Sequence, residues 1–292
     1  MGRASHIVED VGGRVISRAA AAVAIVVVGV LTISGCALEP HKLGAFPRPG
    51  YVPSRCDGFD HAETNPATAP ADYLTYKQIS GDIDTPVTKF GGQPHWLSTP
   101  QWPVGRVDNQ PMQFIGQIAL SKDLFPVAAG KMAYIFADDM ASQPANTDMI
   151  DDSSDWGVGV VIIQPGGIAE VPTIAKATGP EFIDPDTKAK QVYLPDTVER
   201  KVDPSFISDT KWATMSDADL KKREFTFGDK VGGTPAFIQR DQFPGCGTID
   251  KLLWQSVDAP FQQGLLHGGI GYAFVDPMVT TGRYFYQTHQ KG

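Results

Sequence analysis

The chain repeats itself, and that limits its fold more than any other feature of the sequence. Lys89-Phe90-Gly91-Gly92-Gln93-Pro94-His95-Trp96 returns as Lys230-Val231-Gly232-Gly233-Thr234-Pro235-Ala236-Phe237, 141 positions later. Gln101-Trp102-Pro103 meets Gln242-Phe243-Pro244 at the same spacing. Phe114-Ile115-Gly116-Gln117 meets Leu252-Leu253-Trp254-Gln255 at 138, and Tyr134, Phe136 and Asp138 meet Tyr272, Phe274 and Asp276 at 138 again. A single three-residue indel accounts for the change. Four blocks in one order mark a duplication, with repeats spanning about 85–164 and 226–290.

The repeated unit is legible. A Gly-Gly-X-Pro turn leads to an aromatic, then an aromatic-Pro break, a strand ending in Gln and a second strand ending in Asp. In Gln113–Leu120 the even positions Phe114, Gly116, Ile118 and Leu120 are largely apolar, whereas Gln113, Ile115, Gln117 and Ala119 are mixed. That alternation predicts a strand with one buried and one partly polar face. Met132–Ala137, Trp156–Gln164, Leu252–Val257, Gly271–Val275 and Arg283–Gln287 are rich in β-branched and aromatic residues and predict further strands. Ser216-Asp217-Ala218-Asp219 ahead of Leu220 has the form of a capping box, and predicts a short helix through Lys222. Ala71–Ile79 is a second helix candidate, and Pro165–Lys211 reads as a Pro-rich insertion joining the repeats. The expected fold class is α+β, mostly antiparallel, internally duplicated as two related sheet-containing halves.

The N-terminal region reads as an export signal. Arg3, Arg14 and Arg18 precede Ala19–Leu31, an unbroken small-apolar run of thirteen residues. A membrane span needs roughly 20, so the run suits a signal-peptide core. Ile33-Ser34-Gly35-Cys36 follows, an aliphatic residue, two small ones and a cysteine, which is the form of a lipobox. On this reading residues 1–35 are a lipoprotein signal peptide, Cys36 takes the lipid, and 36–70 is a tether rich in Pro and Gly. The folded body is 71–292. Two or more acyl chains anchor a protein stably, which places it in the cell envelope on the periplasmic or extracellular face of a membrane. Outside the cytoplasm Cys56 and Cys246 are expected to oxidise to a disulfide. Closing so long a loop is worth about 5 kcal/mol at most.

Charge narrows the partners. The net charge is −8, and removing residues 1–35, with three arginines and two acids, makes it −9. Acidity of that size disfavours nucleic acid and complements a basic protein. No nucleophile elbow, phosphate loop, dinucleotide fingerprint or zinc motif occurs, and no cofactor or metal is expected. The Gly-Gly pairs suit turns with positive φ better than anion-binding nests. Gln117 and Gln255 hold the same place in each repeat; with Gln239 they are candidates to line a ligand cleft, or else they satisfy backbone groups. Trp96, Trp102 and Trp254 read as core aromatics. The run Asp148 to Asp155 lacks the glycine and final Glu of an EF-hand loop and reads as a solvated loop.

Together, Lys89-Phe90-Gly91-Gly92-X-Pro, Met112 to Gln117, Val231-Gly232-Gly233-Thr234-Pro235 with Gln239, Leu252 to Gln255 and Gly268 to Val275 resemble the YwqG-like family, or DUF1963 domain. The resemblance covers about residues 85–290. It implies a duplicated α+β fold and carries no catalytic residue, since the family's function is unassigned. The lipobox departs from its many apparently cytoplasmic relatives. Two functional classes follow. One is a lipid-anchored, non-catalytic module that binds a basic protein, of which protection against a secreted toxin is one form. The other is an envelope hydrolase or sugar-binding enzyme with a cleft between the repeats, where Asp138 and Asp276 would form a carboxylate pair.

Overall fold

The computed structural model describes residues 68–105, 109–137, 159–183, 189–206, 215–237, 251–257 and 270–287. Ten strands close into one antiparallel barrel. They are β1 (Ala69–Ile79), β2 (Lys89–Gly91), β4 (Gln113–Ala119), β5 (Met132–Ala137), β6 (Gly159–Gln164), β8 (Val192–Asp203), β9 (Lys230–Gly232), β10 (Lys251–Ser256), β11 (Ile270–Val275) and β12 (Gly282–Gln287). β3 (Trp102–Pro103) and β7 (Thr173–Ile174) make a separate two-stranded sheet. Around the ring the order is β1-β8-β2-β4-β5-β6-β12-β11-β10-β9, and β9 returns to β1.

This corrects the expected α+β class and its two sheets. The repeats supply β2, β4, β5, β6 and β9, β10, β11, β12, but neither set is a sheet of its own. β6 pairs with β12, and β1 and β8 bridge the other seam, pairing with each other and with β9 and β2. Ala71–Ile79 is therefore strand, not helix: its ladder with β8 runs from Ala69↔Asp203 to Ile79↔Val192. Long-range pairing of this extent overrides a local helical reading. The supposed insertion 165–211 contains β8, a barrel strand. Pro195 and the charged run from Asp196 to Lys201 disguised it; Pro195 sits beside the register shift opposite Leu74 and Tyr76, where a strand tolerates proline. The expected helix does form as α1 (Asp217–Arg223), with the Asp219 N–H donating to the Ser216 cap. No helix among the described residues is long and apolar enough to cross a membrane.

A cluster drawn from strands all round the ring fills the barrel: Ile118, Ile135, Val161, Leu253, Trp254, Ala273 and Tyr284 belong to it. Two other clusters lie on the outer faces. Phe114, Tyr134, Phe136 and Ile162 pack under Trp96 and Trp102, and Leu252, Tyr272, Phe274 and Phe285 pack with Phe237. Both faces of these strands are thus buried, and a bulge sorts the side chains. Register shifts between Phe114 and Gly116, and again between Leu252 and Trp254. Phe114 therefore faces out while Ile115 and Ile118, of opposite parity, both face in. At the barrel centre Phe90 of one repeat stacks on Trp254 of the other at 5.0 Å, and Trp254 on Tyr284 at 6.2 Å.

Alternating strand directions define two rims. β1 starts, and β4, β6, β8 and β11 end, on the rim where the chain enters the barrel at Ala69, the entry rim. Phe125, Ala128 and Val279 close the interior there; Phe182 and Tyr193 close it at the far rim.

Candidate functional site

The polar side chains that the duplication repeats are buried, and both halves use them alike. In the first half the His95 N–H donates to Gln117 Oε1 (2.7 Å), and Gln117 Nε2 donates to the carbonyls of Val87 (2.9 Å) and Thr85 (3.3 Å). In the second the Ala236 N–H donates to Gln255 Oε1 (2.8 Å), and Gln255 Nε2 donates to the carbonyls of Thr226 (2.9 Å) and Gly228 (3.0 Å). Every backbone partner lies 141 positions from its counterpart. A carboxamide carries one acceptor and two donors in a fixed plane, so one glutamine clamps the segments before and after β2 (or β9) to the neighbouring strand. Tyrosines finish the clamp: Tyr134 donates to the His95 carbonyl (2.8 Å) and Tyr272 to that of Ala236 (2.7 Å). Burial raises the Tyr134 phenol to about 12, with the Leu97 N–H pulling the other way.

Between each Lys and its clamp the glycine pairs turn the chain. Gly91, Gly92, Gly232 and Gly233 have φ of +73°, +64°, +73° and +81°. Consecutive left-handed residues bring each loop close to an aspartate. A Cβ on Gly233 would lie 2.3 Å from Asp203 Oδ2, and one on Gly92 would lie 3.3 Å from Asp82 Oδ1.

These aspartates serve two buried lysines differently. Lys230 Nζ donates to Asp203 Oδ2 (2.7 Å) and to the carbonyls of Thr226 (2.9 Å) and Thr234 (2.6 Å), which uses all three of its protons. Asp203 also accepts from the Thr234 N–H (2.9 Å) and from Tyr73 Oη. Burial lowers Lys230 to about 8 against the pull of Asp203, and burial with the Asp203 bond raises Tyr73. In the first half Lys89 Nζ donates to the Ile83 carbonyl, and burial again lowers it while Asp82, Asp84 and Glu181 resist. Here two of the acids open to solvent, while Glu181 stays nearly buried. Asp82 is half exposed and Asp84 almost wholly exposed, with His95 Nδ1 2.7 Å from Asp84; Lys190 bridges to Glu181 at 2.7 Å and lies 3.9 Å from Asp82. One repeat holds a sealed ion pair. The other presents an acidic cluster at the far rim.

Of the residues singled out by sequence, Gln117 and Gln255 are wholly buried in these clamps. Trp102 and Trp254 are core, and Trp96 packs over Tyr134 at 4.7 Å. Asp276 caps the turn after β11, accepting from the Thr280 N–H (2.7 Å) and hydroxyl (2.5 Å). Cys36, Cys56, Cys246, Gln239, Asp138 and the run from Asp148 to Asp155 lie outside the described residues. Sequence reading gave Lys89, Lys230 and the Tyr134/Tyr272 pair no role, although each recurs at the repeat spacing; a charge repeated at the head of both blocks was the available signal. Asp203 had none, because β8 was read as insertion.

A closed, duplicated β-barrel with one glutamine clamp and one buried lysine per repeat is the class that fold and site define. The chain belongs to the family described as a domain of unknown function, DUF1963, whose pattern matches residues 88–277. No curated protein matches the chain.

Proposed function

We propose that the protein is a non-catalytic binding module, anchored to a membrane by lipid on Cys36, that engages a basic protein partner in the cell envelope. The observation that carries this reading is where the charge goes. Among the described residues the buried charged side chains are Lys89, Lys230 and Asp203, with Glu181 only 9% exposed, two cations against two anions. Burial therefore leaves the acidic excess of a chain at −8 at the surface. The cluster of Asp82 and Asp84 at the far rim is one part of that surface. Complementary charge accelerates encounter with a basic partner and makes it salt-sensitive. A secreted basic toxin is one partner of this chemistry. The repeated polar groups, meanwhile, are spent on the backbone, and the seam between repeats is filled by ladders and the Phe90–Trp254 stack.

Two measurements test the reading separately. Intact mass of protein extracted from native membranes, set beside a Cys36→Ala variant, is expected to give an acylated chain beginning at Cys36; an unprocessed chain removes the anchor. Crosslinking in intact cells is expected to recover a basic protein, weakened by salt and by Asp84→Lys. Partners that are acidic or indifferent to salt would remove the electrostatic reading.

A further inference from the structure

The geometry points to the entry rim of the barrel as a membrane-facing surface, an inference that rests on the lipid anchor proposed above; we propose that Val127, Ile168 and Met278 sit in the lipid interface. The plug of this rim has two sides. Phe125, Ala128 and Val279 point into the barrel core, and their neighbours Val127 and Met278 point away from it, 53% and 65% exposed. Ile168, also 65% exposed, is tied to the same place, since its N–H donates to the Thr280 carbonyl (2.8 Å). Around them lie exposed Pro126, Ala129, Gly130, Pro165 and Gly166, none charged. Apolar side chains presented together at one end of an acidic protein mark an interaction surface.

One observation names lipid as the occupant. The chain enters the barrel on this rim, at Ala69, so the segment that begins at Cys36 joins the barrel there rather than at the opposite end. A lipid chain on Cys36 then needs only weak additional insertion to hold one orientation, with the acidic cluster turned toward a partner.

The test uses the full chain, extracted from membranes and reconstituted in vesicles of phosphatidylcholine and phosphatidylglycerol with brominated acyl chains. Tryptophan is placed at the entry rim by Met278→Trp or, as a second variant, Val127→Trp. The control is Ile183→Trp, whose exposed side chain follows Phe182 at the far rim. Bromine is expected to quench the added entry-rim fluorescence several-fold more than the far-rim fluorescence. Equal quenching at both rims overturns the orientation. Intact mass of the same sample separates the failures: an acylated chain with equal quenching overturns this inference alone, and an unacylated chain overturns the anchor with it.

Discussion

Gly91 and Gly130 share a positive φ but not a neighbourhood. Nothing lies within 4 Å of a Cβ added at Gly130, whereas one at Gly91 would meet the Gln191 carbonyl oxygen at 2.0 Å. Gly130→Ala should therefore cost only left-handed strain, about 1–2 kcal/mol. Gly91→Ala should cost distinctly more, because backbone must move where β2 meets β8; urea unfolding of both variants checks the ranking. The Lys230–Asp203 pair makes a sharper case. Asp203→Ala leaves a buried ammonium without its counterion and should destabilise by about 3–5 kcal/mol, while Lys230→Met with Asp203→Leu should recover most of that. A double variant as unstable as the single one would mean that the other acceptors of Asp203, the Thr234 N–H and Tyr73, matter more than the charge. The glutamines were visible in the sequence as repeated letters, but their role was not. Whether an amide faces a ligand or a carbonyl is settled by which loops fold over it.

At the scale of elements, the strands of each repeat were legible because their β-branched and aromatic runs are local signals. β4 was found within one residue of its bounds, yet its alternation misled. The bulge between Phe114 and Gly116 switches parity mid-strand, so a single two-residue period cannot assign its faces. β1 and β8 were missed for a related reason: their stability comes from each other across more than a hundred residues, not from local pattern. The clamp on β5 yields a pH prediction. The Tyr134 phenol stays protonated to about 12 in the folded chain, against about 10 when unfolded. Between those values the unfolded state has released a proton that the folded state keeps, so stability falls as pH rises. Below pH 10 the contribution is fully present. Tyr134→Phe should start from a lower stability, having lost the bonds to His95 and Leu97, and then decline less steeply above pH 10. Equal slopes in pH-dependent urea titrations would contradict the assignment.

At the scale of the molecule, the repeats are not separate folding units. Neither satisfies its edge strands alone: β6 and β12 pair with each other, and β2 and β9 are paired by β8 and β1, which belong to neither repeat. Phe90 and Trp254 complete a common core. Either repeat expressed alone should stay unfolded by circular dichroism, and the intact body should melt in one transition by calorimetry. A folded single repeat would contradict the shared core. The sequence by itself determined the duplication, the strand content of each copy, the capped helix and the family, because all four are written in neighbouring residues or in blocks that recur. Only the tertiary structure decided that the copies close into one barrel rather than two sheets and that Lys230 meets Asp203. Those outcomes depend on β1 and β8 joining the seam, a pairing whose free energy comes from burial and hydrogen bonds between distant segments and leaves no periodic trace in either.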